Sequence, residues 1–284
     1  MNALPPTVLQ KEILLDGHWS SLAQLAEACE LSREEVSEAA VKGAVWRKKG
    51  GARSAKLRRI RDPDAESKSG DTLYINYDRK VLDQKPQLPQ LISDQGNYSV
   101  WYKPSGILSQ GSKWSDHCTI TETAAGSHGK KCLLVHRLDR AARGLVVLAH
   151  TPNACKALAG LFEKREVLKI YRATVHGNVS RDLPWEIKEP IDGKSAHTVV
   201  LSAEHIEKQD QSKLTVDIKT GRKHQIRNHL ASEGYPVVGD RLFDSDRKHE
   251  NDLQLVATEL QFSCPFSGKL QKVQLDESLL GSSH

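Results

Sequence analysis

Apolar residues recur at helix spacing in two short stretches near the start of the chain: Leu22, Leu25 and Ala26, then Val36, Ala39 and Ala40. Ser21 and Ser32 stand where each stretch begins and can cap it, and Glu34 and Glu35 fall in the first turn of the second. Asp71-Thr-Leu-Tyr-Ile-Asn-Tyr then alternates like a strand after a Ser69-Gly70 turn. Farther along, Leu145–Ala149 is a continuous apolar run, the pattern of a strand buried on both faces. Thr151 and Pro152 follow as an N-cap and a first-turn proline, opening a helix with Ala154, Leu158, Leu161 and Phe162 on one face. The run from Leu168 to Gly177 alternates faces and sets Lys169, Tyr171 and Ala173 on the same side. Leu214, Val216 and Ile218 form one face of a further strand, Thr220-Gly221 turns the chain, and a helix ends at Gly234.

Charge divides the chain. Residues 42–61 carry nine basic side chains, no acidic one and a single Trp, so they are expected either to stay solvated or to face an anion. Asp83–Gln90 (DQKPQLPQ) holds two prolines and three glutamines, as a linker does. The expected organisation is a small unit over 1–83, a linker over 84–90 and a second domain over 91–284.

Composition removes several classes. The longest apolar run, 144–149, has six residues, far short of the roughly 20 that a bilayer helix needs. The first 16 residues show no basic stretch followed by an apolar one, so no secretory signal is expected. Five scattered cysteines without a CxxC pair point to reduced thiols in a cytoplasmic setting and to no Cys-rich zinc site. A net charge of +5 mildly favours a polyanionic partner. Neither GxxxxGK[ST] nor GxGxxG occurs, so no nucleotide cofactor is expected. His224 and His229 are five apart rather than at the i, i+4 spacing of a two-histidine zinc site, and no metal is expected.

Candidate chemistry centres on Asp139. It lies just upstream of the buried strand, flanked by Arg137, Arg140 and Arg143. A carboxylate among arginines suits a plain salt bridge as well as catalysis, and composition alone does not separate the two.

Five motifs in order change that balance. His136-Arg137-Leu138-Asp139 followed by Gly144-Leu145 resembles the HRLD signature of the RluA-type family of pseudouridine synthases. Lys103-Pro104-Ser105-Gly106 resembles the family's KPxG turn, and Lys169-Ile170-Tyr171-Arg172-Ala173 its KxYxA strand. Gly221 to Arg227 resembles its GRxHQxR block, closed by Gly234-Tyr235-Pro236-Val237-Val238-Gly239-Asp240. The resemblance spans about residues 91–270. Ala141-Ala142-Arg143 stands where many members have Asp-Thr-Ser, and Leu255-Val256-Ala257 and Cys264-Pro265 where they often have Leu-His-Ala and His-Pro. The first 80 residues loosely resemble an S4-type RNA-binding domain.

The resemblance implies an α+β fold, with a mixed, mostly antiparallel sheet, flanking helices and a small N-terminal α+β domain. It implies isomerisation of uridine in structured RNA without cofactor or metal. Asp139 matches the essential carboxylate, Arg227 its ion-pair partner and Tyr171 the aromatic that packs on the target base. Arg137, Arg140, Arg143, Lys103 and Arg222, with Arg47, Lys48, Lys49, Arg58 and Arg59 on the small unit, are the expected RNA contacts. Ribosomal RNA is favoured over transfer RNA, with a monomer as the working state. The other readings are a non-catalytic RNA-binding ribosome-assembly factor, and a hydrolase pairing Asp139 with His136 or His224.

Overall fold

Alternation at Thr72–Asp78 buries Leu73, Ile75 and Tyr77 on one face, and the helix pair supplies what they pack against. In this computed structural model, which describes residues 7–16, 21–51, 55–244 and 252–280, the chain forms two compact units. One comprises Met1–Pro86 and Gln110–Thr123, the other Gln87–Ser109 and Ala124–His284.

The first unit contains β1 (Val8–Leu14), α1 (Ser21–Cys29), α2 (Arg33–Val41), β2 (Val45–Lys48), β3 (Arg58–Arg59), β4 (Thr72–Asp78) and α3 (Arg79–Leu82). Its sheet has the order β1-β4-β2-β3, antiparallel throughout. Leu25, Val36, Ala39 and Ala40 of the helices close the core over β4. Ser32 caps α2 in a reciprocal pair: its Oγ accepts from Glu35 N–H at 3.1 Å and its own N–H donates to Glu35 Oε2 at 2.8 Å. Such a cap contributes about 1 kcal/mol. The expected Ser21 cap lies outside the described side chains.

The basic run behaves differently from the expectation. It forms β2 and β3, and the anions for two of its arginines come from a distant stretch of the sequence. Arg59 pairs with Asp116 at 2.8 Å, donates to Gly43 O at 2.7 Å and lies over the Trp46 ring at 4.1 Å. Arg61 pairs with Asp116 at 2.5 Å and Glu122 at 3.0 Å. These pairs draw 110–123 into the first unit, although sequence alone assigns that segment to the second domain. Arg59 is therefore a structural ion-pair residue, contrary to its assignment as an RNA contact. Arg47 donates to Glu66 O at 2.6 Å. Lys48, Lys49 and Arg58 are exposed, and 52–54 of the run lie outside the described residues.

The second unit contains β5 (Gln90–Asp94), β6 (Tyr98–Lys103), α4 (Ile120–His128, whose first turn belongs to the first unit), β7 (Leu133–Leu134), β8 (Arg143–Ala149), α5 (Pro152–Glu163) and β9 (Leu168–His176). It continues with β10 (Trp185–Ile187), β11 (Thr198–Ile206), β12 (Gln211–Ile218), α6 (Gln225–Ser232), β13 (Leu255–Ser263), β14 (Leu270–Gln274) and α7 (Glu277–Leu280). The sheet order is β10-β11-β12-β9-β13-β8-β6-β5, with β14 on β13 and β7 on β8. Only β8 and β13 pair in parallel among the described strands, so the expected mixed, mostly antiparallel α+β sheet is present.

Gly144 explains that parallel pair. It faces Ala257 with φ +120°, and a Cβ there would meet Ala257 O at 2.3 Å. Only glycine permits so close an approach. Thr151 caps α5 by accepting from Ala154 N–H at 3.1 Å, and Ala154 and Leu158 face the core. Among the described residues no disulfide joins any of the five cysteines. Among the described residues no helix is long and apolar enough to cross a membrane.

Candidate active site

Asp139 sits in the loop between β7 and β8, and the Lys103–Gly106 turn clamps that loop from below. Ser109 Oγ donates to Leu138 O at 2.6 Å and accepts from Leu138 N–H at 3.0 Å. Gly106 and Arg140 exchange two hydrogen bonds: Gly106 N–H to Arg140 O and Arg140 Nε–H to Gly106 O, both 2.9 Å. Ser105 Oγ donates to Ala141 O at 3.0 Å. Lys103 is fully buried and directs Nζ to the carbonyls of Pro104, Ile107 and Arg140 at 2.9, 3.0 and 3.3 Å. Burial pushes Lys103 down to about 7 against the pull of Asp139. It holds backbone in place and does not reach RNA, which corrects its assignment.

His136 anchors the other end of the loop. Its Nε2 accepts from Val147 N–H at 3.1 Å and its ring stacks on Phe162 at 4.2 Å. Burial, helped by Lys169, drops its pKa to about 3, so the ring is neutral and locked in structure. With its one acceptor nitrogen already taken by Val147 N–H, the neutral ring has no free lone pair, which removes His136 as the base of a hydrolase.

The facing wall is the start of α6. Gln225 fixes the turn into it. Its Oε1 accepts from Thr220 Oγ at 2.6 Å and Arg222 N–H at 3.0 Å, and its Nε2 donates to His197 O and Thr198 Oγ1, both at 3.0 Å. His224 takes a left-handed backbone, φ +54°, just before the helix. Its Nε2 lies 3.7 Å from Asp139 Oδ1, and burial lowers its pKa while Asp139 opposes.

One turn in, Arg227 is 8% exposed and donates Nη1 to Asp139 Oδ2 at 3.3 Å. Its stronger bonds go to Asp240: Nε to Oδ2 and Nη2 to Oδ1, both 2.7 Å. Asp240 is fully buried and also accepts from Leu242 and Phe243 N–H at 2.9 and 3.2 Å. Burial works to raise its pKa, but Arg227 and those two N–H groups hold it below the usual carboxylate range.

Tyr171 lies on β9, opposite Val216 of β12 and Ala257 of β13. Burial first, and Asp139 second, push its phenol well above the usual range, so it is protonated at neutral pH. Asp139, Tyr171 and Arg227 line one cleft open to solvent, with Arg137, Arg222 and His224 at its polar side and Leu138, Ile218 and Leu255 among its apolar residues.

The three candidate catalytic residues therefore converge from three separated motifs. Arg137 is exposed and Arg222 part-exposed on the cleft; Arg222 also donates Nε to Ser195 O at 2.9 Å. Arg140 is exposed but tied to Gly106. Arg143 is a correction: at 5% exposure it lies inside β8 and bonds Leu280 O at 3.1 Å and Gln254 Oε1 at 3.4 Å, which leaves it no face toward a phosphate. Sequence reasoning gave no role to Asp240, Gln225 or Ser109. A usable signal existed for Asp240 alone: a buried arginine needs a buried acid, and the Gly239-Asp240 end of the last motif supplies one.

Residues 97–232 match the family described as RNA pseudouridylate synthase. The chain is 34% identical over 191 residues to the dual-specificity RNA pseudouridine synthase RluA of Vibrio parahaemolyticus, covering 60% of this chain and 76% of that one. It is 32% identical over 176 residues to the enzyme of the same description in Escherichia coli K12, covering 57% and 80%. Among solved structures, human RNA pseudouridylate synthase domain containing 1 shares the fold, with a TM-score of 0.56 at 21% identity over 71% of this chain and 92% of that one.

Proposed function

Because the chain belongs to the RluA-type family of RNA pseudouridine synthases, we propose that Asp139 is its catalytic carboxylate, Arg227 the group that orients it and Tyr171 the residue that receives the target base. The enzyme is an isomerase that converts uridine in RNA to pseudouridine. The observation that carries the residue assignment is the placing of one Asp139 oxygen 3.3 Å from a buried guanidinium, in a cleft walled by a buried tyrosine.

In the reaction the N1–C1′ bond breaks, the uracil turns while still bound, and C5 bonds to C1′. The C5 proton leaves and N1 takes one up. Attack at C1′, attack at C6 and elimination at C2′ each need a carboxylate oxygen beside the nucleoside, and Asp139 Oδ1 is the one that Arg227 leaves open. A protonated phenol takes the C5 proton only by passing on its own, and the neighbouring Asp139 is the acceptor for that relay. Uridine must leave its stack to enter such a cleft, with its ring packed on Tyr171.

We assign residues 1–83, followed by the 84–90 linker, as an S4-like RNA-binding domain, and structured ribosomal RNA rather than transfer RNA as substrate. The support is the separate unit itself, with exposed Lys48, Lys49 and Arg58, which suits a large RNA gripped through its backbone.

The test uses RNA tritiated at uridine C5 from cells lacking this gene, fractionated into ribosomal and transfer RNA. Wild type is expected to release tritium from ribosomal RNA, and Asp139→Asn to release none. Equal release by the variant would remove Asp139 from the chemistry; release from transfer RNA alone would overturn the substrate assignment.

A further inference from the structure

Away from the cleft, Asp94 at the end of β5, His128 at the end of α4 and His150 just after β8 bring one carboxylate and two imidazoles together. Their ligand atoms all lie within 4.8 Å of one another. His150 Nδ1 is 2.9 Å from Lys131 O. A carbonyl only accepts, so Nδ1 carries the proton and Nε2 of the neutral ring presents a lone pair. That Nε2 is buried and has no hydrogen-bond partner among the described residues. His128 Nε2 is buried in the same way; it lies within ion-pair distance of Asp94 Oδ2, 3.1 Å, and makes no hydrogen bond among the described residues.

Two buried imidazole nitrogens that lack a hydrogen bond, one of them against a carboxylate, are costly unless something binds them. We propose that Asp94, His128 and His150 form a site for a borderline divalent transition-metal ion, Zn²⁺ being the best match to two imidazoles and one carboxylate. Tetrahedral Zn²⁺ with bonds of about 2.0–2.1 Å sets its ligand atoms about 3.4 Å apart, so the cluster closes with shifts of roughly an ångström. The Lys131 carbonyl already orients His150 as an outer-shell partner. Lys130 is the competitor: its Nζ sits 2.7 Å from Asp94 Oδ2, but its side chain is 44% exposed and free to swing into solvent. The ion would tie the end of the edge strand β5 to the ends of α4 and β8, remote from uridine chemistry. Sequence inspection misses it because its donors are 34 and 22 residues apart rather than in a compact motif.

Equilibrium dialysis of the full-length protein against Zn²⁺ tests the proposal. Wild type is expected to bind one equivalent that His128→Ala/His150→Ala loses and His150→Ala weakens by about tenfold or more, while Lys130→Ala binds more tightly. Trp101 stands edge-on to His128 at 5.7 Å, so Co²⁺ is expected to quench tryptophan fluorescence in wild type and markedly less in Trp101→Phe. Saturating Zn²⁺ should raise Tm by about 4 °C in wild type and leave the double variant unmoved. Unfolding baselines in EDTA establish that the variants fold. Zn²⁺ stoichiometry and affinity that survive in the folded double variant, or no binding by wild type at about 100 µM Zn²⁺, would overturn the site.

Discussion

Asp240 holds Arg227 in a fork of two 2.7 Å hydrogen bonds, and Arg227 reaches Asp139 with the one remaining arm, at 3.3 Å. The geometry makes Asp240 the fixed point and Asp139 the group being aimed. Asp240→Ala would leave the buried guanidinium with only the longer contact to Asp139, at a cost of about 3 kcal/mol in urea unfolding. Asp240→Asn keeps the shape but loses the charge and half of the fork. It is expected to cut kcat about a hundredfold, with RNA affinity nearly unchanged, because misaiming by an ångström is enough to do so. A fall in affinity with kcat intact would show that Arg227 serves binding instead.

How much of this was legible depended on sequence distance. The strand at Thr72–Asp78, the Ser32 cap and the Thr151-Pro152 helix start all act within a few residues, and local chemistry carried them. Alternation sets Tyr171 on the same side as Lys169 and Ala173, and the fold buries that side. The apolar pattern that starts at Leu145 leaves Arg143 outside the strand, whereas β8 begins two residues earlier and takes Arg143 inside with it. Lys103 looks like an RNA contact in sequence; its role comes from carbonyls at 104, 107 and 140 that meet only in the fold. β1 is not legible in the sequence because an exposed edge strand, VLQKEIL, carries little apolar signal. Asp116 is the same lesson in charge: a run with no acid of its own finds one 55 residues away from Arg61.

Tyr171→Phe keeps the ring that packs on the base and removes only the hydroxyl. If the phenol relays the C5 proton toward Asp139, tritium release is expected to fall by about 10²–10⁴ while RNA binding holds. Single-turnover rates at saturating RNA make the comparison. An unchanged rate would reduce Tyr171 to a packing surface.

Gly144→Ala brings a methyl to 2.3 Å from Ala257 O, at a φ that side chains rarely adopt. Neither backbone can give way without breaking the β8–β13 pair that ends at the catalytic loop. A loss of more than about 2 kcal/mol is expected in urea unfolding, with activity falling in parallel. A variant as stable as wild type would show that the two strands tolerate separation.

His136 supplies a pH prediction with a definite sign. Its pKa is about 3 in the fold and about 6.5 in an unfolded chain, so the unfolded state binds the proton first. Its contribution to stability is complete above about pH 6.5 and is lost as pH falls toward 3, with a slope of up to about 1.4 kcal/mol per pH unit. His136→Gln can still accept from Val147 N–H and should flatten that part of the profile. Urea midpoints at pH 7.5, 6.5 and 5.5 decide it: equal slopes in both proteins would place the proton uptake elsewhere.

The first unit separates two kinds of arginine and lysine. Lys48, Lys49 and Arg58 are exposed, whereas Arg59 is held by Asp116, Gly43 O and the Trp46 ring. Counterion release makes the log of RNA affinity fall with log salt by about 0.7–0.9 per phosphate contact. The triple variant Lys48→Ala/Lys49→Ala/Arg58→Ala should therefore lower that slope by about 2–3 and weaken binding, with kcat at saturating RNA unchanged. Arg59→Ala should do the reverse, leaving the slope alone and lowering Tm, because it strips a charge from Asp116 rather than from RNA. Filter binding from 50 to 300 mM KCl distinguishes them. A triple variant with the wild-type slope would mean that these side chains face solvent even when RNA is bound, and the case for the first unit as a backbone grip would go with it.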